Sequence, residues 1–280
     1  MVVHVRSAQS EAYFSADAPA EGPVVLFFHI QKTAGTALRR VIRENLPPSD
    51  LELGADLRDL RYEPEELLRW HREWYEELDG ERRARLSCVM SHYAGYLLPA
   101  LDRPVEALVV VREPVDRVLS FYWEKRRNAL RRKEPGTGFN LMEKVYETPP
   151  RGRPPQAWPQ FFNWQSRCLL SVFHDISALP ASPGPPPDAD LWRGRLRGLV
   201  EGTFFVGVQD RFDRYVELVG RRLGWQQTQA ARKGVNKDRP PLEESSPELR
   251  ELIADRNWLD VELYELCREV QLRREADSGL

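Results

Sequence analysis

The sequence predicts an α/β fold with a mainly parallel central sheet flanked by helices, and three observations predict it. Val24–Ile30, Val105–Val111 and Thr203–Val208 are nearly continuous apolar or aromatic runs, the pattern of strands buried on both faces of a parallel sheet. The stretches between them carry apolar residues at helical spacing, so strands and helices alternate along the chain. The first run passes through a loop of small and hydroxyl residues, Gln31-Lys32-Thr33-Ala34-Gly35-Thr36, directly into a helix with Leu38, Val41 and Ile42 on one face.

In order along the chain, residues 1–22 read as an N-terminal tail and 23–280 as a single domain. Leu46-Pro47-Pro48-Ser49-Asp50 is a break. Pro64–Leu78 has the apolar spacing of a helix (Leu67, Leu68, Trp70, Trp74, Tyr75, Leu78) on a charge-rich, solvated background in which His71 is expected to face water. Leu86–Met90 is a short strand that ends at Ser91-His92-Tyr93-Ala94-Gly95-Tyr96. Val105–Val111 leads straight into Arg112-Glu113-Pro114, with proline well placed in a first helical turn, and a helix over 115–133. Residues 133–157 are rich in glycine and proline and read as a long connection, and Pro180–Pro187 as a second one. Trp158–Phe173 and Leu191–Val200 return to helical order. After Thr203–Val208 come helices over 210–223, 247–254 and 259–274, with a basic loop at 233–241.

Composition narrows the class. Of 280 residues, 41% are hydrophobic and 30% charged, with a net charge of −2, as in a soluble globular protein. No apolar run approaches the roughly 20 residues needed to cross a bilayer, and the first residues lack an apolar core of signal-peptide length, so no transmembrane anchor and a cytoplasmic location are expected. Cys88, Cys168 and Cys267 are odd in number and far apart, which fits reduced thiols, and no spacing suggests a metal site. The basic run Arg126, Arg127, Arg131, Arg132 and Lys133 reads as a solvated helix face, so nucleic acid is not an expected partner.

Two stretches carry chemistry. Strand, small-residue loop and helix at 24–42 aim backbone N–H groups and the positive end of a helix dipole at one point, where an anion such as phosphate fits. Lys32 adds a mobile cation, and Thr33 and Thr36 add hydroxyls. The spacing is not that of a nucleotide-kinase P-loop. In the second stretch, Arg112 lies at the C-terminal end of a strand and Ser120 eight residues on, about two helical turns, so both can face one ligand. Arginine offers a planar fork to phosphate. Ligands of parallel sheets bind beyond the strands' carboxyl ends, so both stretches deliver their polar groups to one rim.

These motifs resemble the sulfotransferases that use 3′-phosphoadenosine 5′-phosphosulfate (PAPS), in particular the carbohydrate branch that includes the heparan sulfate 2-O- and 6-O-sulfotransferases. His29-Ile30-Gln31-Lys32-Thr33-Ala34-Gly35-Thr36 is similar to that family's 5′-phosphosulfate loop, H-I-x-K-T-G-G-T, with Ala34 in place of the first glycine. Arg112–Tyr122 is similar to its 3′-phosphate element, R-D-P-x-x-R-x-x-S-x-Y, with Glu113 for aspartate. Weaker likenesses are Asn163–Leu169 to N-x-Q-T-R-x-L, Phe205–Phe212 to a later strand and helix start, and Arg232–Lys237 to a basic loop near the 3′-phosphate.

The resemblance implies a P-loop-like three-layer fold and transfer of a sulfuryl group from PAPS to a hydroxyl of a sugar, glycolipid or small molecule, releasing PAP, with no metal required. It implies donor contacts from Gln31, Lys32, Thr33, Ala34, Gly35, Thr36, Arg112, Ser120, Arg232 and Lys233. Lys32 would act on the leaving oxygen. A hydroxyl acceptor calls for a base. Of His4, His29, His71, His92 and His174, His92 stands directly after a strand at the rim, and Ser91–Leu97 resembles the region that carries the family's proposed base. His29, inside the first strand, reads as a packing residue, and His174 is a second candidate base. Gln165 and Arg167 could orient an acceptor or serve packing. Two rival readings are a non-catalytic nucleotide-binding protein and a P-loop-type phosphotransferase, the latter lacking a Walker motif and a magnesium carboxylate.

Overall fold

The computed structural model describes residues 6–14, 22–46, 50–55, 64–131, 159–179, 184–229 and 242–280. It is a mixed α/β structure built on one sheet in the order β3-β1-β4-β2-β5-β6. The strands are β1 (Arg6–Phe14), β2 (Val24–Phe28), β3 (Asp50–Ala55), β4 (Leu86–Ser91), β5 (Val105–Val111) and β6 (Phe204–Val208). The four strands β4, β2, β5 and β6 run parallel, while β1 pairs antiparallel with both β4 and β3. The register aligns Phe28 with Ser91, Leu26 with Ala107 and Val109 with Val206.

The apolar runs form strands because both of their faces are covered. Val24, Leu26 and Phe28 point into one core with Tyr75 of α2 (Pro64–Glu77), Trp192 and Leu196 of α6 (Ala189–Gly202), and Leu259 and Leu263 of α9 (Trp258–Asp277). Val25 and Phe27 point the other way, onto Leu38, Val41 and Ile42 of α1 (Gly35–Asn45) and Tyr215, Val216 and Val219 of α7 (Phe212–Leu223). Leu38, Val41 and Ile42 are fully buried, and such side chains typically contribute about 1.5–3 kcal/mol each. A third cluster lies off the sheet. There α4 (Pro114–Arg131) packs Val118, Phe121 and Tyr122 on Phe161, Phe162 and Ile253 of α8 (Pro247–Arg256).

The expected strands at 86–90, 105–111 and 203–208 and the helices near 64–78, 191–200, 210–223, 247–254 and 259–274 all form, with ends shifted by a few residues. The helix expected over 115–133 forms as far as Arg131, where the described residues end, and a short helix α3 (Gly80–Arg85) precedes β4. Three expectations need correction. The stretch read as an N-terminal tail contains β1, an inner strand of the sheet. Its Tyr13 enters one core and Ala12 and Phe14 the other, the alternation of a strand. The segment after the Pro47-Pro48 break forms β3 against it. Trp158–Phe173 is not one helix: a short 3-10 turn (Pro159–Phe161) precedes α5 (Trp164–Leu170). Most of the two glycine- and proline-rich connections lies outside the described residues.

Candidate anion and acid–base site

The topology gathers three neighbouring strand ends. The chain leaves β2 for β4 on one side and later returns to β5 on the other, so β2 lies between them and their C-terminal ends share one edge. Such a reversal of strand order is where open α/β sheets bind ligands. The loop 29–34 follows β2, His92 follows β4, and Arg112 follows β5.

The loop between β2 and α1 is tight and strained. Lys32 and Ala34 adopt left-handed backbone, φ 71° and 65°, which side chains other than glycine disfavour. The Thr33 hydroxyl is buried and donates to the Ile30 carbonyl at 2.8 Å. It thus closes the loop rather than standing ready as a ligand donor, as the sequence suggested. No side chain caps α1, so the N–H groups of Gly35 and Thr36, which have no acceptor within the helix, point out of its first turn. Thr36 is exposed, and Gln31 and Lys32 are half-buried. Gly35 is buried beneath the His29 ring, where a Cβ would lie 1.7 Å from Nε2.

His29 and His92 stack with ring centroids 4.4 Å apart. His92 Nδ1 lies 2.5 Å from the His29 carbonyl oxygen. A carbonyl only accepts, so Nδ1 carries the proton and the lone pair of the neutral ring sits on Nε2. Burial lowers the His92 pKa to about 4, with Arg39 of α1 lowering it further and the His29 carbonyl and Glu124 opposing the shift. Burial, then His92, Arg39 and Lys32, push His29 well below its ordinary value. Its Nδ1 is buried with no partner among the described residues. Both rings are therefore neutral at pH 7, and His92 is a proton acceptor of low basicity.

Arg112 ties the third strand end to the loop. Its Nη1 donates to the Lys32 carbonyl oxygen at 3.1 Å, and its Nε meets the Asp116 carboxylate. Glu113, the residue that stands where the resembled motif has aspartate, still caps α4: its carboxylate accepts from the N–H groups of Val115 and Asp116 at 3.0 and 2.6 Å. Ser120 stands half-buried on the same helix, four residues from both Asp116 and Glu124. Glu124 Oε1 is 3.1 Å from Lys32 Nζ.

Gln165 and Arg167 serve the scaffold. Gln165 is fully buried and grips the backbone of Arg112 from both sides, Oε1 accepting from its N–H at 2.8 Å and Nε2 donating to its carbonyl at 2.9 Å. Gln165 is held in turn. The Asp260 carboxylate accepts from the N–H groups of Gln165 and Ser166 at the start of α5, while Asn163 Oδ1 accepts from those of Leu259 and Asp260 at the start of α9. Each helix thus caps the other. Arg167 donates to the Leu179 carbonyl.

The structure therefore brings together Gln31, Lys32, Thr33, Ala34, Gly35, Thr36, His92, Arg112 and Ser120. Arg232 and Lys233 lie outside the described residues. His174 belongs to the turn after α5, next to Arg195 rather than the histidine pair. His71 corrects the expectation of a solvated ring: it is buried, Nδ1 bonds the Leu67 carbonyl at 2.7 Å, and burial lowers its pKa to about 4. Arg39 and Glu124 are site residues that pattern reading passed over, because single charges on amphipathic helices look like solvated faces. Among the described residues no group of side chains could hold a metal ion, and no helix is long and apolar enough to cross a membrane. Neither a known protein family nor a curated protein matches the sequence.

Proposed function

We propose that this chain is a PAPS-dependent sulfotransferase that moves a sulfuryl group to a hydroxyl of a carbohydrate, glycoconjugate or related small molecule, on a P-loop-like three-layer fold. One observation carries the reading. Three adjacent parallel strands deliver to one edge an uncapped helix start with Lys32, an arginine that touches the same loop, and a histidine whose lone pair is fixed on Nε2. A donor with a 5′-phosphosulfate and a 3′-phosphate needs two separate cationic sites, and Lys32 and Arg112 supply them from different strands. The left-handed backbone at Lys32 and Ala34 fits a loop shaped for close approach by an anion, while Gly35 makes room for the His29 ring.

The donor supplies the sulfuryl group and a phosphate leaving group. The N–H groups of Gly35 and Thr36, with the Thr36 hydroxyl, hold the 5′ end, and Arg112 and Ser120 hold the 3′-phosphate. The acceptor oxygen forms the new O–S bond as the bridging S–O bond breaks. His92 Nε2 takes the hydroxyl proton, and Lys32 neutralises charge on the departing phosphate oxygen, giving the sulfate ester and PAP. By analogy with phosphoryl transfer, the protein mainly positions groups and stabilises charge.

The test is transfer of labelled sulfate from PAPS across sugar, lipid and phenol acceptors, with wild type and His92→Ala side by side. A general base is typically worth about 10²–10⁴-fold in rate, so His92→Ala should lower kcat by that range and leave PAP affinity nearly unchanged. A folded His92→Ala protein with near-normal kcat removes His92 from the mechanism. PAP binding without transfer to any acceptor favours a nucleotide-binding protein.

A further inference from the structure

Lys32 and Arg112, the two cations the proposed function sets against the donor among the described residues, are each held by a carboxylate from one stripe of α4. Asp116, Ser120 and Glu124 follow one another at four-residue spacing, so they share a helix face. The Arg112–Asp116 pair is local, whereas Lys32–Glu124 joins the loop to a point roughly three turns along α4. Packing does not require a carboxylate at 124. The buried side of α4 is made by Val118, Phe121 and Tyr122, and the side chains of Lys32 and Glu124 remain 24% and 34% exposed. A lysine ammonium is a compact charge with three donors, and a carboxylate and a phosphate oxygen compete for them on equal chemical terms.

We propose that Glu124 is a built-in competitor for the anion at Lys32, so that its carboxylate sets how tightly the site takes an anion. Drawing Lys32 toward a phosphate or phosphosulfate breaks the 3.1 Å pair and leaves Glu124 as a like charge beside the newcomer. Glu124 thereby weakens every ligand that uses Lys32. It also keeps the ammonium stationed at the loop, three residues from the start of α1. The inference rests on the reading of this rim as an anion site.

The sign of the effect makes it testable. Losing a purely structural ion pair should leave anion binding unchanged or weaker, whereas losing a competitor should tighten it. Glu124→Gln keeps the side chain's size and its place on a solvent-facing helix surface. Isothermal titration of wild type and Glu124→Gln with PAP and with inorganic pyrophosphate should show affinity tightened roughly two- to ten-fold at low ionic strength, the gain shrinking as salt screens the partly exposed charges. In a Lys32→Ala background the same substitution should give a clearly smaller gain, because the coupling runs through the ammonium. Unchanged or weaker binding by Glu124→Gln overturns the proposal while leaving the nucleotide reading intact, and so does an undiminished gain without Lys32. Binding of pyrophosphate but not PAP by wild type overturns the nucleotide reading, and the Glu124→Gln comparison on pyrophosphate still decides this proposal. A wild-type protein that takes up neither probe overturns both.

Discussion

At the scale of single residues, the loop after β2 concentrates what is unusual. The resembled motif has glycine where this chain has Ala34, and the backbone there is nevertheless left-handed, at φ 65°. A non-glycine residue in that conformation typically costs about 1–2 kcal/mol, part of which glycine gives back through its freer unfolded chain. Ala34→Gly should therefore stabilise the protein by about 0.5–1 kcal/mol, read as a rise in melting temperature of roughly 1–4 °C. A fall in melting temperature would mean that the alanine methyl makes contacts worth more than the strain. His92 and Arg112 were legible in the sequence because each follows a buried strand directly, and Lys32 because it lies in the small-residue loop that leads from a strand into a helix. Glu124 and Arg39 were not, since nothing in a helical pattern separates a charge facing a site from one facing water. His71 misled for the same reason. Its flanking Arg69, Arg72 and Glu73 are exposed while its own ring is buried, and one helix turn holds both environments.

At the scale of elements, the parallel strands were legible and the antiparallel pair was not. VVLFF, VEALVVV and FFVGV are buried on both faces and read as apolar runs. RSAQSEAYF and DLELGA mix polar and apolar residues, as strands toward a sheet edge can, and their pairing is a tertiary matter. The reciprocal capping of α5 and α9 is likewise invisible in sequence, because Asn163 and Asp260 are 97 positions apart. That capping has a functional reach through Gln165, which holds the Arg112 backbone at the end of β5. Gln165→Leu removes both of those bonds and leaves the backbone groups of Arg112 without them. The expected loss is about 1–3 kcal/mol of stability. PAP should also bind more weakly to the folded variant than to wild type. A folded Gln165→Leu protein with wild-type affinity would show that the clamp stabilises the fold without positioning Arg112.

At the scale of the whole molecule, the histidines couple the fold to pH. Burial lowers the pKa of His71 and His92 to about 4, and that of His29 and, less strongly, His174 below the ordinary value. The folded state therefore keeps these rings neutral, while the unfolded chain takes up protons near pH 6.5. The stability they contribute is full above that pH and is lost progressively as pH falls from about 6.5 toward 4. The melting temperature should drop between pH 7 and pH 5, and His71→Phe should flatten part of that drop, whatever its effect at pH 7. A melting temperature that is flat from pH 7 to pH 5 would contradict neutral, buried imidazoles. The fold class needed only apolar runs and their alternation with helices. The site needed the strand order, which brings three strand ends to one edge and which no local pattern encodes.

The proposed function requires this edge to read a nucleotide with a 3′-phosphate through Arg112 and Ser120 and a 5′ anion through Lys32 and the start of α1. The most direct measurement is calorimetric titration of the protein with PAP and, separately, with ATP at the same ionic strength. PAP should bind clearly tighter than ATP, and Arg112→Ala should erode this preference more than Ser120→Ala does, because a charge-assisted contact is roughly twice as strong as a neutral hydrogen bond. Equal affinity for the two nucleotides, or a PAP affinity that Arg112→Ala leaves untouched, would contradict it.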